Sequence, residues 1–101
     1  MPSTIIVRYE LKPECLDDHL GLIAGVFEHL RAAAPAGAHY SVYRSADGYQ
    51  FTHVGTYDTA QARAAATEND AFAAFTADIA TRCVMPPEGV PQQVVQSYDS
   101  R

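Results

Sequence analysis

The chain has 101 residues, 48% of them hydrophobic and 19% charged, which describes an ordinary globular protein and excludes disorder. Its net charge is -5 and its seven basic residues are scattered, so no Lys/Arg cluster exists to follow a phosphate backbone and nucleic acid is not an expected partner. No apolar run approaches the roughly 20 residues of a membrane span, so no membrane association is expected. No leader-like segment opens the chain, and Cys15 and Cys83 are far apart and read as free thiols, which points to the cytoplasm. The many Ala, Gly and Pro residues fit a GC-rich bacterial genome. One domain, 1–101, is expected, small enough that its core is marginal alone and a partner subunit is expected.

Residues 4–11 alternate, with Ile5, Val7, Tyr9 and Leu11 on one face and Ile6, Arg8 and Glu10 on the other. That pattern predicts a first strand, ended by Pro13. Leu16, Leu20, Ile23, Phe27, Leu30 and Ala34 then step by four and three, the apolar stripe of an amphipathic helix over 14–34 that Pro35 and Gly37 stop. A second strand over 38–44 leads through the Asp47-Gly48 turn into a third over 49–57, a hairpin by its turn chemistry. A short Ala-rich helix over 60–66 follows. Asn69 can cap a further helix whose stripe is Phe72, Phe75, Ile79 and Arg82 or Cys83, with Cys83 as a small core residue. The Pro-rich stretch 85–89 reads as a loop and 92–98 as the last strand.

The third strand carries the chemistry. Its period of two places Tyr49, Phe51, His53, Gly55 and Tyr57 on one face, and Gln50, Thr52, Val54 and Thr56 on the other. One face is thus aromatic with an imidazole at its centre. Gly55 leaves a gap in that row where a flat ring would fit, if this face meets the helices as expected; the opposite parity would put His53 at the dimer interface.

The order β-α-β-β-α-β predicts an α+β, ferredoxin-like fold: a four-stranded antiparallel sheet with the helices on one face. The other sheet face, with Ile6, Thr52, Val54 and Val42 or their neighbours, is then bare and is the expected surface of a homodimer.

The chain resembles the antibiotic biosynthesis monooxygenase (ABM)-like family of the dimeric α/β barrel superfamily over nearly its whole length. The resemblance rests on IIVRYELKPE in the first strand and the long helix after it, HVGTYD ending the third strand, and ENDAFAAFTADIATRC before the last. It implies a dimeric barrel in which two sheets face each other. It also implies O2-dependent oxidation of phenolic or quinol substrates without metal or flavin, in a cleft between sheet and helices. The family's Trp-acidic pair at the end of the third strand is matched by Tyr57-Asp58. The superfamily's haem-degrading members use a helical His where this chain has Phe75, and the chain has no Trp, so haem is not expected, nor any other cofactor.

Such a reaction needs a base or hydrogen-bond partner at the substrate hydroxyl and an apolar pocket for the ring. His53 is the candidate catalytic group by residue type. Tyr49, Phe51, Tyr57, Phe72 and Phe75 are the candidate substrate-binding residues for a small aromatic ligand, with Asn69 as either a helix cap or a group orienting a carbonyl or O2. His39 and Tyr40 start the second strand and stand at the cleft mouth. His19 and His29 do not share a helix face, and no ligand cluster accompanies the strand histidines, so no metal site is expected. The alternative reading is a non-catalytic dimeric module of the same fold that holds a small ligand or supports another protein.

Overall fold

The computed structural model describes residues 2–98. Strand β1 (Ser3–Leu11) leads through a 3-10 turn at Pro13–Cys15 into helix α1 (Leu16–Ala33). The hairpin β2 (Ala38–Arg44) and β3 (Gln50–Tyr57) follows, then helices α2 (Ala60–Thr67) and α3 (Asp70–Thr76), a 3-10 turn at Ile79–Arg82, and strand β4 (Cys83–Gln92). The four strands form one antiparallel sheet in the order β2-β3-β1-β4. This is the ferredoxin-like arrangement that the alternation and helical stripes predict.

The helices cover one face. Phe51, His53, Gly55 and Tyr57 are buried while their neighbours on β3 are half-exposed, the signature of a strand with one covered side. Tyr9, Leu11, Val26, Phe51, Phe75 and Cys83 form the main core, and Tyr57 packs on Ala62 and Ala66 of α2 in a second cluster. Thr59 and Asn69 cap α2 and α3 by accepting from Ala62 N–H and Phe72 N–H.

Val42, expected on the bare face, lies opposite His53 and packs on the covered core, and three further sequence expectations change. The stretch 85–89, read as a loop, lies within β4, and 92–98, read as the last strand, is not one: Gln92 ends β4, and 93–98 carry no regular structure. The reason is position. β4 is an edge strand, so Pro86, Pro87 and Pro91 cost no ladder bond on the side that has no neighbour. The two adjacent prolines sit at a bulge: Arg8 pairs Glu88 and Glu10 pairs Met85, so β4 spends one residue more than β1. With the free edge of β1 taken by β4, Val94, Val95 and Tyr98 are left without a strand partner and are exposed.

The third change is the predicted stripe from Phe72 to Cys83, which is not one helix. α3 stops at Thr76 because Asp78 adopts a left-handed φ of 57°, and Arg82 turns back to donate to the carbonyls of Phe75 and Ala77. Cys83 is a core residue, but as the first residue of β4.

Candidate functional site

The site grows from the register of β3. His53 lies opposite Val7 on one side and Val42 on the other. Its diagonal neighbours on the covered face are Tyr9, two residues along β1, and Tyr40, two residues back on β2. Both reach it. The Tyr40 hydroxyl lies 2.6 Å from Nδ1 and the Tyr9 hydroxyl 2.6 Å from Nε2. The Tyr9 hydroxyl also lies 2.6 Å from Nε2 of His19 on α1, and Arg82 Nε–H donates to His19 Nδ1 across 3.2 Å. One unbroken chain therefore runs Arg82–His19–Tyr9–His53–Tyr40.

This chain is sealed in aromatic surroundings. Tyr9 stacks on Phe51 at 5.6 Å, and His53 on Phe75 at 5.2 Å. His19 is fully buried and His53 is 3% exposed. Burial, reinforced by the Arg82 guanidinium, pushes the His19 pKa down to about 4. Burial, then the charge on His19, does the same to His53, also down to about 4. Burial raises the Tyr9 and Tyr40 hydroxyls, and proximity to Tyr57 raises Tyr40 further. At neutral pH every member except Arg82 is uncharged.

The Tyr40 end of the chain meets a cleft of about 210 Å³ between the sheet and α2/α3. Ile5, Val7 and Phe72 make its apolar walls, and Tyr40, His53, Tyr57, Arg63 and Thr67 its polar parts. Tyr57 lies back along its own strand over Gly55: a β-carbon there would stand 2.9 Å from Tyr57 Cζ. The gap expected at Gly55 is thus filled by the protein's own phenol, for which the missing side chain makes room. Among the described residues the Tyr57 hydroxyl has no hydrogen-bond partner, yet no fully buried side-chain polar atom there is unpaired. That oxygen therefore keeps access to the cleft.

No family model and no curated protein matches the sequence. Solved structures do. Rv0793 from Mycobacterium tuberculosis superposes with a TM-score of 0.78 at 17% identity, covering 98% of this chain and 100% of that one. A protein of Nitrosomonas europaea named as a candidate antibiotic biosynthesis monooxygenase gives 0.73 at 19%, covering 93% and 90%. One of Caulobacter crescentus, named likewise, gives 0.76 at 14%, covering 94% and 91%. The chain has the ABM-like fold.

Within this ABM-like fold the sequence-derived residues divide. His53, Tyr57 and Phe72 line the cleft together. Phe51 and Phe75 sit behind them in the core. Tyr49 precedes β3 and stays at the hairpin, its N–H on the Asp47 carboxylate and its carbonyl accepting from Leu11. Asn69 caps α3, with its amide N–H groups on the carbonyls of Ala65 and Ala66. The sequence reading missed Tyr9, His19, Arg82, Arg63 and Thr67. Two had a signal: His19 falls at helical spacing with Ile23, Val26 and Leu30, and Arg82 sits in an otherwise apolar stripe. A polar residue in an apolar register needs a buried partner.

Among the described residues no three His, Cys, Asp or Glu side chains gather as a metal-ligand group, and no helix is long and apolar enough to cross a membrane.

Proposed function

We propose that the chain is a cofactor-independent monooxygenase that oxidises a small aromatic quinol or phenol with O2. The observation that carries this reading is the cleft: apolar walls of ring size, ended by the hydroxyls of Tyr40 and Tyr57, with the buried histidine chain behind Tyr40. The names of the structural neighbours lend it support. For a hydroquinone the balance is quinol + O2 → hydroxyquinone + water. The substrate supplies four electrons. One oxygen atom forms a bond to ring carbon, the O–O bond breaks, and the second oxygen leaves as water with two substrate hydrogens. Loss of the phenolic proton makes the ring electron-rich enough to react. Apolar walls hold the ring and keep bulk water from the reacting carbon.

His53 belongs to this site as the group that holds Tyr40, and its removal leaves Tyr40 unoriented. Oxygen uptake with naphthoquinols, followed by electrode, tests the reading. Turnover above the uncatalysed rate is expected, and His53→Ala, which leaves the Tyr40 donor unoriented, should lower it by roughly 10²-fold, the scale for losing one preorganised donor. Absence of turnover with any quinol refutes the reading.

One observation favours the alternative, a ligand-binding module: both His53 nitrogens are already engaged by tyrosine hydroxyls, and its pKa of about 4 makes it a weak base at neutral pH. Saturable quinol binding without oxygen uptake is the outcome expected of that module.

The reading includes a homodimer. The uncovered sheet face carries Ile6 and Val54 with the exposed Tyr43, Met85 and Val90, an apolar surface that a second sheet would bury. Two free cysteines support a cytoplasmic address.

A further inference from the structure

Resting on that reading of the cleft, we propose that it takes its ligand as an oxygen anion on an apolar ring, a phenolate or enolate. We propose further that Arg82, outside the cleft, sets this preference as a positioning residue by fixing the direction of the buried hydrogen-bond chain.

The direction follows from counting protons. A guanidinium only donates, and Arg82 is held by three bonds, from Nε to His19 and from its two terminal nitrogens to Ala77 and Phe75 carbonyls. His19 Nδ1 must therefore be the bare nitrogen. Neutral His19 then carries its proton on Nε2 and donates to the Tyr9 oxygen. Tyr9 has one proton, and it goes to His53 Nε2. His53 in turn keeps its proton on Nδ1 and donates to the Tyr40 oxygen. The Tyr40 proton is left over, with no acceptor among the described residues, at the wall of the cleft. Reversing the Arg82–His19 link would set two donors against each other, and reversing the Tyr9–His53 link would leave the Tyr9 proton without an acceptor in the core.

The remaining polar hydrogens of the cleft point the same way. The Tyr57 hydroxyl is unpartnered; burial raises its pKa, which the nearby Arg63 guanidinium only partly offsets, so it keeps its proton as a donor. The Thr67 hydroxyl spends its proton on the Arg63 carbonyl. The titratable or charged groups around the cleft are Tyr40 from β2, His53 and Tyr57 from β3, and Arg63 from α2; β1 contributes Ile5 and Val7, and α3 contributes Phe72. No carboxylate lines it. A ligand oxygen there meets two phenol donors and a guanidinium. A neutral phenol must instead give its own proton to a neutral hydroxyl oxygen, that of Thr67 or of a tyrosine, because the lining has no carboxylate. An anion is accordingly favoured, as at an oxyanion hole. In the proposed oxidation this lining would hold the electron-rich form of the ring, without a resident base having to remove the proton.

Two measurements test this. The first is long-range proton–nitrogen NMR of histidine-labelled protein at neutral pH. Opposite tautomers are expected, proton on Nε2 in His19 and on Nδ1 in His53, and either residue in the other tautomer overturns the proposal. The second is binding of 4-nitrophenol and 1-naphthol, whose spectra separate phenol from phenolate. The ionisation pH of the bound probe should fall by about one unit or more, a tenfold preference for the anion. Tyr40→Phe and Tyr57→Phe should each shrink the shift. Arg82→Met should shrink it too, with its His53 tautomer signal changed. If Arg82→Met does not fold, the two tyrosine variants carry the test. Probe bound with an unchanged or raised ionisation pH overturns the proposal while leaving an aromatic pocket. No saturable binding of either probe overturns both. Phenolate binding without quinol-dependent oxygen uptake overturns only the monooxygenase.

Discussion

Tyr9→Phe is the most informative single change in this molecule. It deletes one oxygen and leaves the ring, so the stack on Phe51 at 5.6 Å and 5° survives. That oxygen is the shared partner of two buried imidazoles, His19 and His53. Its loss strands one nitrogen on each, in a core whose other neighbours are aromatic. An unsatisfied buried polar group costs about 1–3 kcal/mol, so two cost about 2–6 kcal/mol. Domains of this size are stable by about 5–15 kcal/mol. The variant should therefore lose a large share of its stability, and its melting temperature should drop by at least about 8 °C. Urea unfolding at pH 8 is the assay, since both histidines are then neutral in either state. A loss below about 1 kcal/mol, within the range of an ordinary surface change, would refute the claim that the hydroxyl joins the two rings. The same variant should release the His53 tautomer from the control of Arg82.

Other outcomes follow from the same geometry. Both buried histidines have folded pKa values of about 4 against an ordinary 6.5, so the unfolded chain binds more protons between those limits. Stability should be full above pH 6.5 and fall as the pH drops toward 4, by roughly 3 kcal/mol for His53 alone; denaturation midpoints that stay flat over that window would contradict neutral burial. Gly55→Ala would push a methyl group into the Tyr57 ring, whose Cζ stands 2.9 Å from the new carbon, on a strand held from both sides. A loss of about 1–3 kcal/mol is expected by calorimetry, and unchanged stability would mean that the ring is free to move. Val54→Asp places a charge on the uncovered sheet face and should weaken self-association by ~100-fold or more. Sedimentation reads this, and a wild-type chain that is monomeric at micromolar concentration would remove the dimer.

Periodicity determined much of this protein without coordinates. Alternation in 4–11 and 49–57 and the stripe of α1 already specify which side of each element is apolar, because a period-two or period-3.6 pattern has one way to bury itself. Alternation puts His53 and Tyr57 on one face of β3 but leaves open whether that face meets the helices or a dimer seam; the burial of β3 decides for the helices, where both line the cleft with Phe72. Local pattern also read the Asn69 cap and the Asp47-Gly48 turn, whose chemistry lies within four residues. What tertiary structure decided was of a different kind. β4 is a strand despite three prolines because it occupies an edge, and edge position is a property of the sheet order, not of residues 83–92. Gly55 looked like space for a ligand, but the side chain two residues along folds into it. The chain from Arg82 to Tyr40 joins α1, three strands and the turn before β4 through residues up to 63 positions apart. No local window contains it. Only the tertiary fold, with a strand register that sets Tyr9 and Tyr40 diagonally against His53, makes five separate polar residues one device.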